Sequence, residues 1–590
     1  MTSFPTGAGA ETAVQRLLRD AREGRLEAAM VKLRGRIQRQ PGDLEARQAL
    51  ALLLLQSGQP LPALHQLERS IQAAPKLPGL RNNYANALMT LGRFGEANEQ
   101  CKKAVAIDPS YHRAWLGQAL CLTQLGDPDG ALNACERAYP LRSDWPELIC
   151  AHASALEAAD RLEDAIALVA KALNGRPHDL TLHARLLPML NNVIRPIAQV
   201  NAAYRAYAAA IPALVARPNL ERKPNQKLRI GVLSADLRSH SVGYFCEPFL
   251  RHRPDDCTLI AFNSSPPCPD DPLQIRLRGC FEQWIEAGFL DDAALDLAIR
   301  DARIDVLLEL SGHTSGSRLS ALNGKPAAVI VTAIGYPNTT GHPAVDWRIV
   351  DSITDPVGCE DHCSERLLRL DPCFLCYCPP ADAPVPASPA PEQPFTFGSF
   401  NTSSKISSET LGLWAAVMGE VANAQLLIKS KSLSGATARE NFLRRLNDAG
   451  IARERVEILS YTATVAEHLA LYQRIHVALD TTPYNGTTTT CEALWMGVPV
   501  IALNGDRHAA RVAASLLSAA GLPEWIAESP AQFVAIAKTL AADPLHLVTH
   551  RQGLRAQLAA STLTNTPAYA ERFYQALRSA WASHCAANVP

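Results

Sequence analysis

The chain carries almost no net charge, with 57 Lys and Arg against 58 Asp and Glu and a formal balance of −1 over 590 residues. A polyanion-binding protein normally needs a strong positive excess, so the totals argue against a nucleic-acid partner. No run approaches the roughly 18–20 apolar residues of a membrane span. Residues 1–9 lack the basic-then-apolar pattern of a secretory signal, which makes the cytoplasm the expected location. The fifteen cysteines are scattered, without a small disulfide framework, as suits a reducing compartment. Asp-x-Asp, a frequent carrier of divalent cations, occurs once, at Asp127 and Asp129. What remains is ordinary globular composition, 47% hydrophobic and 19% charged, in a chain long enough for roughly three or four domains.

One cysteine cluster has ligand-like spacing. Cys359, His362, Cys363, Cys373, Cys376 and Cys378 fall close together, and Cys373-x-x-Cys376 suits zinc. Cys376, Tyr377 and Cys378 alternate as a strand does, however, and Pro379 follows at once. Buried strand cysteines are expected here, with no metal.

The first third repeats every 34 residues. Ala51, Ala85, Ala119 and Ala153 form one series, and Ala63, Ala97, Ala131 and Ala165 another. Gly58, Gly92 and Gly126 lie between them, with Asp160 at the fourth place. Pro41, Pro75, Pro109 and Pro177 mark repeat ends, and Ser143 fills the missing step. Small residues where two helices cross, a turn between them and a closing proline make the tetratricopeptide pattern. An array over residues 10–200 is expected, followed by a linker helix region over 201–226. Such an array offers a concave surface to an extended peptide and does no chemistry itself.

From residue 227 the pattern becomes strand–helix alternation. Apolar runs at 228–236, 258–262, 305–310, 328–334 and 347–350 read as buried parallel strands, and 291–303 as an amphipathic helix. These form one α/β lobe over 227–378. A Pro- and Ala-rich connector covers 379–394. A second series, with strands at 395–400, 425–430, 456–461, 476–480 and 498–503, forms a lobe over 395–585. Two Rossmann-like lobes with ligand in the cleft between them is the glycosyltransferase-B design. Its chemistry belongs in loops beyond the carboxyl ends of the strands.

Those loops hold the candidate site. After the run ending at Asp480, a turn at Asn485 and Gly486 leads into Thr487, Thr488, Thr489 and Thr490, which open a helix. Unpaired N–H groups at a helix start, the dipole and the hydroxyls suit a diphosphate. Glu492, one turn in, suits ribose hydroxyls. Lys405 follows the first strand of the second lobe, beyond Asn401 and Thr402, where an ammonium can neutralise a departing pyrophosphate. Asp236 and His240 follow the first strand of the first lobe as a carboxylate–imidazole pair. The loops 309–316 and 335–342, rich in Gly, Thr and His, suit sugar hydroxyls. His468 is a candidate for the base or phosphates.

These motifs, in this order behind the repeats, resemble the O-GlcNAc transferase family, including its SPINDLY branch. The likeness covers nearly the whole chain. It implies an inverting, metal-independent transferase moving a sugar from a nucleotide donor to Ser or Thr hydroxyls of proteins. Residue by residue, it implies an active-site role for His240, proton acceptance for Asp236 and steadying of the donor diphosphate by Lys405. Donor binding is implied for Pro337, Thr339, Gly341, Asn401, Thr402, His468, Gly486, Thr487, Thr488, Thr489, Thr490 and Glu492. No cofactor beyond the nucleotide-sugar donor is implied.

Departures from the human-type pattern are Thr487 in place of His and Val465 in place of Lys. Several loops read closer to SPINDLY, whose plant member uses GDP-fucose. The asparagine ladder of the family's peptide groove is reduced to Asn83, with Ala49, Gly117 and Ala151 at the equivalent steps. The expected activity is protein O-GlcNAc transfer from UDP-GlcNAc. The alternatives are O-fucosyl transfer from GDP-fucose and an inactive nucleotide-binding scaffold.

Overall fold

The computed structural model describes residues 12–22, 25–214, 223–265, 268–390 and 392–587. Residues 1–9, the first two of the expected array, 215–222 of the linker region and Pro391 of the connector lie outside the described residues. Two compact units divide the chain: Met1–Ala155 with Ala287–Leu295, and Leu156–Glu286 with Asp296–Pro590.

The first unit is helical. Leu44–Gln56 pairs with Pro60–Ala73, Pro78–Thr90 with Phe94–Ile107, and His112–Leu125 with Pro128–Ala138. Ala63, Ala85, Ala97, Ala119 and Ala131 are fully buried at the crossings, where a larger side chain would push the helices apart. Gly58, Gly92 and Gly126 have φ of 72°, 70° and 77°, the left-handed conformation that stops a helix and turns the chain back. Asp127 is a cap: its carboxylate accepts from the Gly130 N–H at 2.9 Å at the start of helix Pro128–Ala138.

The second unit begins inside the fourth repeat, so the expected 10–200 array is divided between the units. It contains helices Leu162–Gly175, Leu180–Leu190 and Ile197–Ala210, then two all-parallel sheets. In the first lobe the strands are β1 Leu228–Ser234, β2 Cys257–Asn263, β3 Gln283–Glu286, β4 Val306–Glu309, β5 Val329–Thr332, β6 Trp347–Val350 and β7 Arg366–Arg369. Their order is β3-β2-β1-β4-β5-β6-β7. In the second lobe they are β8 Thr396–Ser399, β9 Gln425–Lys429, β10 Val456–Leu459, β11 Val477–Leu479, β12 Val500–Leu503 and β13 Ile526–Ala527, in the order β10-β9-β8-β11-β12-β13. Both sheets begin at the centre and reverse direction, between β1 and β4 and between β8 and β11. In an open parallel sheet such a reversal is where a ligand crevice forms beyond the strand ends.

Two expectations need correction. Cys376 is buried, but Cys376, Tyr377 and Cys378 are not in a strand. The segment leaves the sheet, and the Tyr377 N–H donates to the Leu563 carbonyl of the other lobe at 2.8 Å. The last helix, Thr566–Ala587, belongs to the second lobe by sequence yet packs on the first. Phe573 stacks on Phe249 with ring centroids 4.2 Å apart, and the Tyr574 hydroxyl donates to the Phe249 carbonyl. It packs along helix Ser241–Arg251, which its own lobe covers on another side with helix Pro272–Arg278. Among the described residues no helix is long and apolar enough to cross a membrane, and no group of three or more His, Cys, Asp or Glu is placed to hold a metal ion.

Helix Ile197–Ala210 fastens the repeat end to the first lobe. Tyr204 and Tyr207 are buried with Tyr336, the Tyr204 and Tyr336 hydroxyls lie 2.5 Å apart, and Asn191 Nδ2 donates to the latter at 3.1 Å. Tyr204→Ala is expected to cost about 3–5 kcal/mol, as for other buried aromatic truncations, and Tyr204→Phe about 1 kcal/mol. Thermal unfolding of the two variants checks the ranking, and equal losses would show that the ring carries none of the packing.

Candidate functional site

The site is built where β8 and β11 end. Asp480 follows β11 directly, and its Oδ1 accepts from Asn401 Nδ2 at 3.2 Å and from the Gly486 N–H at 2.7 Å. Asn401 follows β8, so one carboxylate joins the two loops flanking the sheet's reversal. Burial pushes the Asp480 carboxyl up, while those N–H donors and the Lys405 charge oppose the shift. Gly486 allows the close approach. A Cβ there would lie 2.4 Å from Thr489 Oγ1 and 3.0 Å from Asp480 Oδ1.

Lys405 ends a short 3-10 turn, Ser403–Lys405. Its Nζ donates to the Asn485 carbonyl at 2.9 Å and sits 3.6 Å from the centre of the Tyr484 ring. Burial pushes its pKa down, offset in part by Asp480. A desolvated ammonium held only by a carbonyl and a ring gains strongly from an arriving anion.

Helix Thr488–Trp495 starts beside it, with Thr487 at the N-cap position. The four threonine hydroxyls do not all face a ligand, contrary to expectation. Thr489 Oγ1 donates to Asn401 Oδ1 at 3.1 Å, and Thr490 Oγ1 donates back to the Gly486 carbonyl at 3.1 Å. Both hydroxyls therefore hold the loop in shape. Thr487 and Thr488 are half-buried at the helix mouth, and Thr402 is exposed.

Thr488 opens on a cavity of about 260 Å³ lined also by Tyr244, Tyr377, Tyr461, His468 and Glu492. Glu492 Oε2 receives His468 Nε2 at 3.0 Å and the Tyr472 hydroxyl at 3.4 Å. Lys429 Nζ lies 2.8 Å from His468 Nδ1. Lysine can only donate, so the network puts the His468 proton on Nε2, aimed at Glu492. Lys429, at the carboxyl end of β9, is missing from the sequence reading. The strand-end rule that selects Lys405 applies to it equally.

In the first lobe, Asp236 and His240 lie beyond β1, with Asp236 Oδ1 3.6 Å from His240 Nδ1, too long for a hydrogen bond. His240 caps helix Ser241–Arg251, its Nδ1 accepting from the Val242 N–H at 3.3 Å. The ring proton is then on Nε2, so in this tautomer the outer nitrogen donates. Burial pushes the imidazole pKa down, with Asp236 acting the other way. Tyr244, one turn further along the helix, reaches the cavity shared with Thr488 and Glu492.

The loop 335–342 behaves differently from expectation. Thr339 is buried, and its Oγ1 donates to Glu365 Oε2 at 2.6 Å. Gly341 has φ 65°, and a Cβ there would lie 3.1 Å from the Tyr204 carbonyl. Thr339 thus binds the loop to its own lobe and Gly341 packs it on helix Ile197–Ala210, and neither lines the cavity; Pro337 is half-buried and lines none of it either. The neighbouring loop is also internally satisfied. Glu309 accepts from the Ser311 and Gly312 N–H groups and is pushed up to about 7 by burial, and His313 Nε2 lies 2.7 Å from the Thr340 carbonyl.

The family described as glycosyl transferase family 41 matches residues 160–377 and 388–573, and a tetratricopeptide repeat model matches 49–112 and 83–146. A protein of Arabidopsis thaliana named as a probable UDP-N-acetylglucosamine–peptide N-acetylglucosaminyltransferase, SPINDLY, is 36% identical over 374 residues, covering 62% of this chain and 41% of that protein. Another of the same species and activity name, SEC, is 26% identical over 377 residues, covering 62% of this chain and 38% of its own. This chain thus spans about two-fifths of the length of these curated relatives. A solved structure of a Thermobaculum terrenum O-GlcNAc transferase variant superposes with TM-score 0.81 at 30% identity, over 87% of this chain and 99% of that one.

The Gly486 packing gives a direct test. Gly486→Ala would displace Thr489 and the helix start, and UDP or GDP affinity measured by calorimetry is expected to fall at least tenfold. Unchanged affinity for both would place the phosphates elsewhere.

Proposed function

The chain belongs to glycosyl transferase family 41, and we propose that it is a protein O-GlcNAc transferase using UDP-GlcNAc. The observation that carries the reading is the Lys405 ammonium, desolvated and held by only the Asn485 carbonyl and the Tyr484 ring, beside the Thr488 helix start. A diphosphate leaving group placed there would draw Lys405 from these neutral partners and meet the N–H groups of the first helical turn. The acceptor hydroxyl of a Ser or Thr side chain would attack the anomeric carbon from the face opposite the diphosphate, inverting it. The C–O bond to the diphosphate breaks as the new glycosidic bond forms. Lys405 and the helix dipole would stabilise the charge on the departing oxygen, the task a divalent cation performs in other transferases.

Glu492, held by His468 and Tyr472 at the cavity wall, is suited to accept from ribose hydroxyls. His240, with its proton on Nε2, would orient the acceptor oxygen or the sugar by donating to it, leaving the Asp236 carboxylate as the nearer proton acceptor. Acceptor polypeptides would approach along the repeats, and the protein would work in the cytoplasm.

GDP-fucose is the second reading of the donor. It is favoured by the higher identity to SPINDLY than to SEC and by Val465 and Thr487, which depart from the human-type pattern. Titration with UDP and with GDP separates the two: tighter UDP binding supports the first reading, and tighter GDP binding the second. Lys405→Ala is expected to lower kcat by about 10²–10³-fold, as for removal of one group that stabilises transition-state charge, with the unfolding temperature unchanged. Full turnover in that variant, or loss of wild-type turnover on adding a chelator, would overturn the mechanism. Nucleotide binding without transfer to any protein would leave a scaffold.

A further inference from the structure

Asp160 stands where the three preceding repeats carry Gly58, Gly92 and Gly126. It keeps their left-handed backbone, with φ 60°. Glycine adopts this conformation freely, whereas an aspartate does so against steric resistance from its Cβ. The departure from the repeat pattern therefore needs a local reason, and the side chain supplies one. Asp160 Oδ1 receives Arg445 Nη1 at 2.6 Å, with the aspartate side chain only 5% exposed. Arg445 belongs to helix Ala436–Asp448 of the second lobe. Its other terminal nitrogen, Nη2, donates to the Ile406 carbonyl at 2.5 Å. From the same helix, Asn441 Nδ2 donates to the carbonyl of Ala159 at 2.8 Å.

The repeat turn is thus read twice by one helix, and that helix passes the contact to the residue following Lys405. Beyond Ile406 the chain is fixed again, since Ser407 Oγ donates to the Thr482 carbonyl at 2.7 Å. The turn Ser403–Lys405 is held at its start by Ser430 and Ser432, which bond Ser403, and just past its end by Arg445 on Ile406. On the side of the repeats, a cavity of about 400 Å³ is lined by Asp160, Ser403, Ser404 and Arg445. Asp160 Oδ2 is buried without a partner. The carboxylate is therefore held on one side only, by Arg445.

We propose that Asp160 is a positioning residue for the donor site: through Arg445 and the Ile406 carbonyl it sets where the Lys405 ammonium stands. The end of the repeat array and the leaving-group site are then coupled by two side chains. An acceptor polypeptide that shifts the last repeat would shift Lys405 with it. The inference rests on Lys405 acting on the departing diphosphate.

The test compares the full-length wild type with Asp160→Gly, Asp160→Asn, Lys405→Ala and the Asp160→Gly/Lys405→Ala double variant. Glycine restores the repeat's own residue at a left-handed turn but leaves Arg445 Nη1 without its acceptor, so the two effects on the unfolding temperature oppose each other and the fold is expected to be retained. Its kcat should nevertheless fall at least tenfold, since misplacing a reacting group by about 1 Å can cost 10²-fold, with acceptor KM unchanged. Asparagine, which tolerates the same backbone and still accepts from Arg445, should keep most of the activity. On the Lys405→Ala background, adding Asp160→Gly should lower kcat no further. Wild-type kcat in Asp160→Gly, or an undiminished loss on the Lys405→Ala background, overturns the proposal. UDP and GDP affinities of the same variants give a readout independent of transfer. If the wild type moves no sugar, a weaker diphosphate affinity in Asp160→Gly that vanishes without Lys405 still supports the coupling, while equal affinities reject it.

Discussion

The Asp480 carboxylate is the constraint on which the candidate site depends. It has almost no contact with water, yet two N–H donors from separate loops converge on one of its oxygens. Hydrogen bonds to a charged group contribute about 1.5–3 kcal/mol each, and a buried donor left without its acceptor costs a comparable amount. Losing the carboxylate would therefore leave the Gly486 N–H without its acceptor and the Asn401 amide with its 3.4 Å bond to Ser399 Oγ. Burial pushes the Asp480 acid up and the Lys405 ammonium down, and the charge of each opposes the shift of the other. Strand ends, loop conformation and the ammonium are consequently one electrostatic unit, poised before any ligand arrives.

Around this unit the two lobes are joined at several points that leave the cavity open. His508 Nδ1 lies 2.5 Å from Asp355 Oδ2, Arg348 Nη1 reaches the other oxygen of Asp355 at 3.4 Å, and Ser515 Oγ donates to Asp351 Oδ2 at 2.5 Å. All these groups are buried, and the two aspartates come from the loop after β6. The Tyr569 hydroxyl adds a bond to the Phe374 carbonyl at 2.9 Å. Fastening on this side leaves the Tyr244–Thr488 opening without polar cross-links of its own, as a cleft that admits a ligand requires.

What was legible in the sequence followed from strong local constraints. A 34-residue alanine pattern is forced by helix crossings that admit no larger side chain. Buried parallel strands such as β1 and β2 are apolar through their middles, at Ile230–Leu233 and Leu259–Phe262, because both faces are covered there. Edge strands escape this logic: β3 and β7 are short, partly exposed and polar at their ends, so no apolar run announces them. The site was legible at the level of loops and less so at the level of atoms. Thr487, Thr488, Thr489 and Thr490 look alike in sequence, but Thr490 falls four residues beyond Gly486 and donates back along the helix, while Thr489 turns to Asn401. Thr339 is lost to the ligand for a similar reason, since Glu365, distant in sequence, arrives beneath it. The placement of the last helix on the first lobe had no local signal, because it depends on which apolar face lies uncovered in three dimensions.

The proton of the acceptor hydroxyl sets the last constraint on the proposed reaction. A histidine that uses Nδ1 to cap its own helix keeps a proton on Nε2, so it cannot take another from that side while remaining neutral. Burial disfavours the doubly protonated ring, with the Asp236 charge acting the other way. Asp236 carries no such conflict. Its backbone N–H donates to Ser234 Oγ at 3.0 Å, while its carboxylate stands 3.6 Å from His240 and 3.8 Å from Arg238, at ion-pair rather than hydrogen-bond distance. An acceptor oxygen located by the Nε2–H of His240 could pass its proton to this carboxylate as the glycosidic bond forms. The imidazole would then govern geometry and the carboxylate proton transfer, a division of labour set by which His240 nitrogen caps the helix.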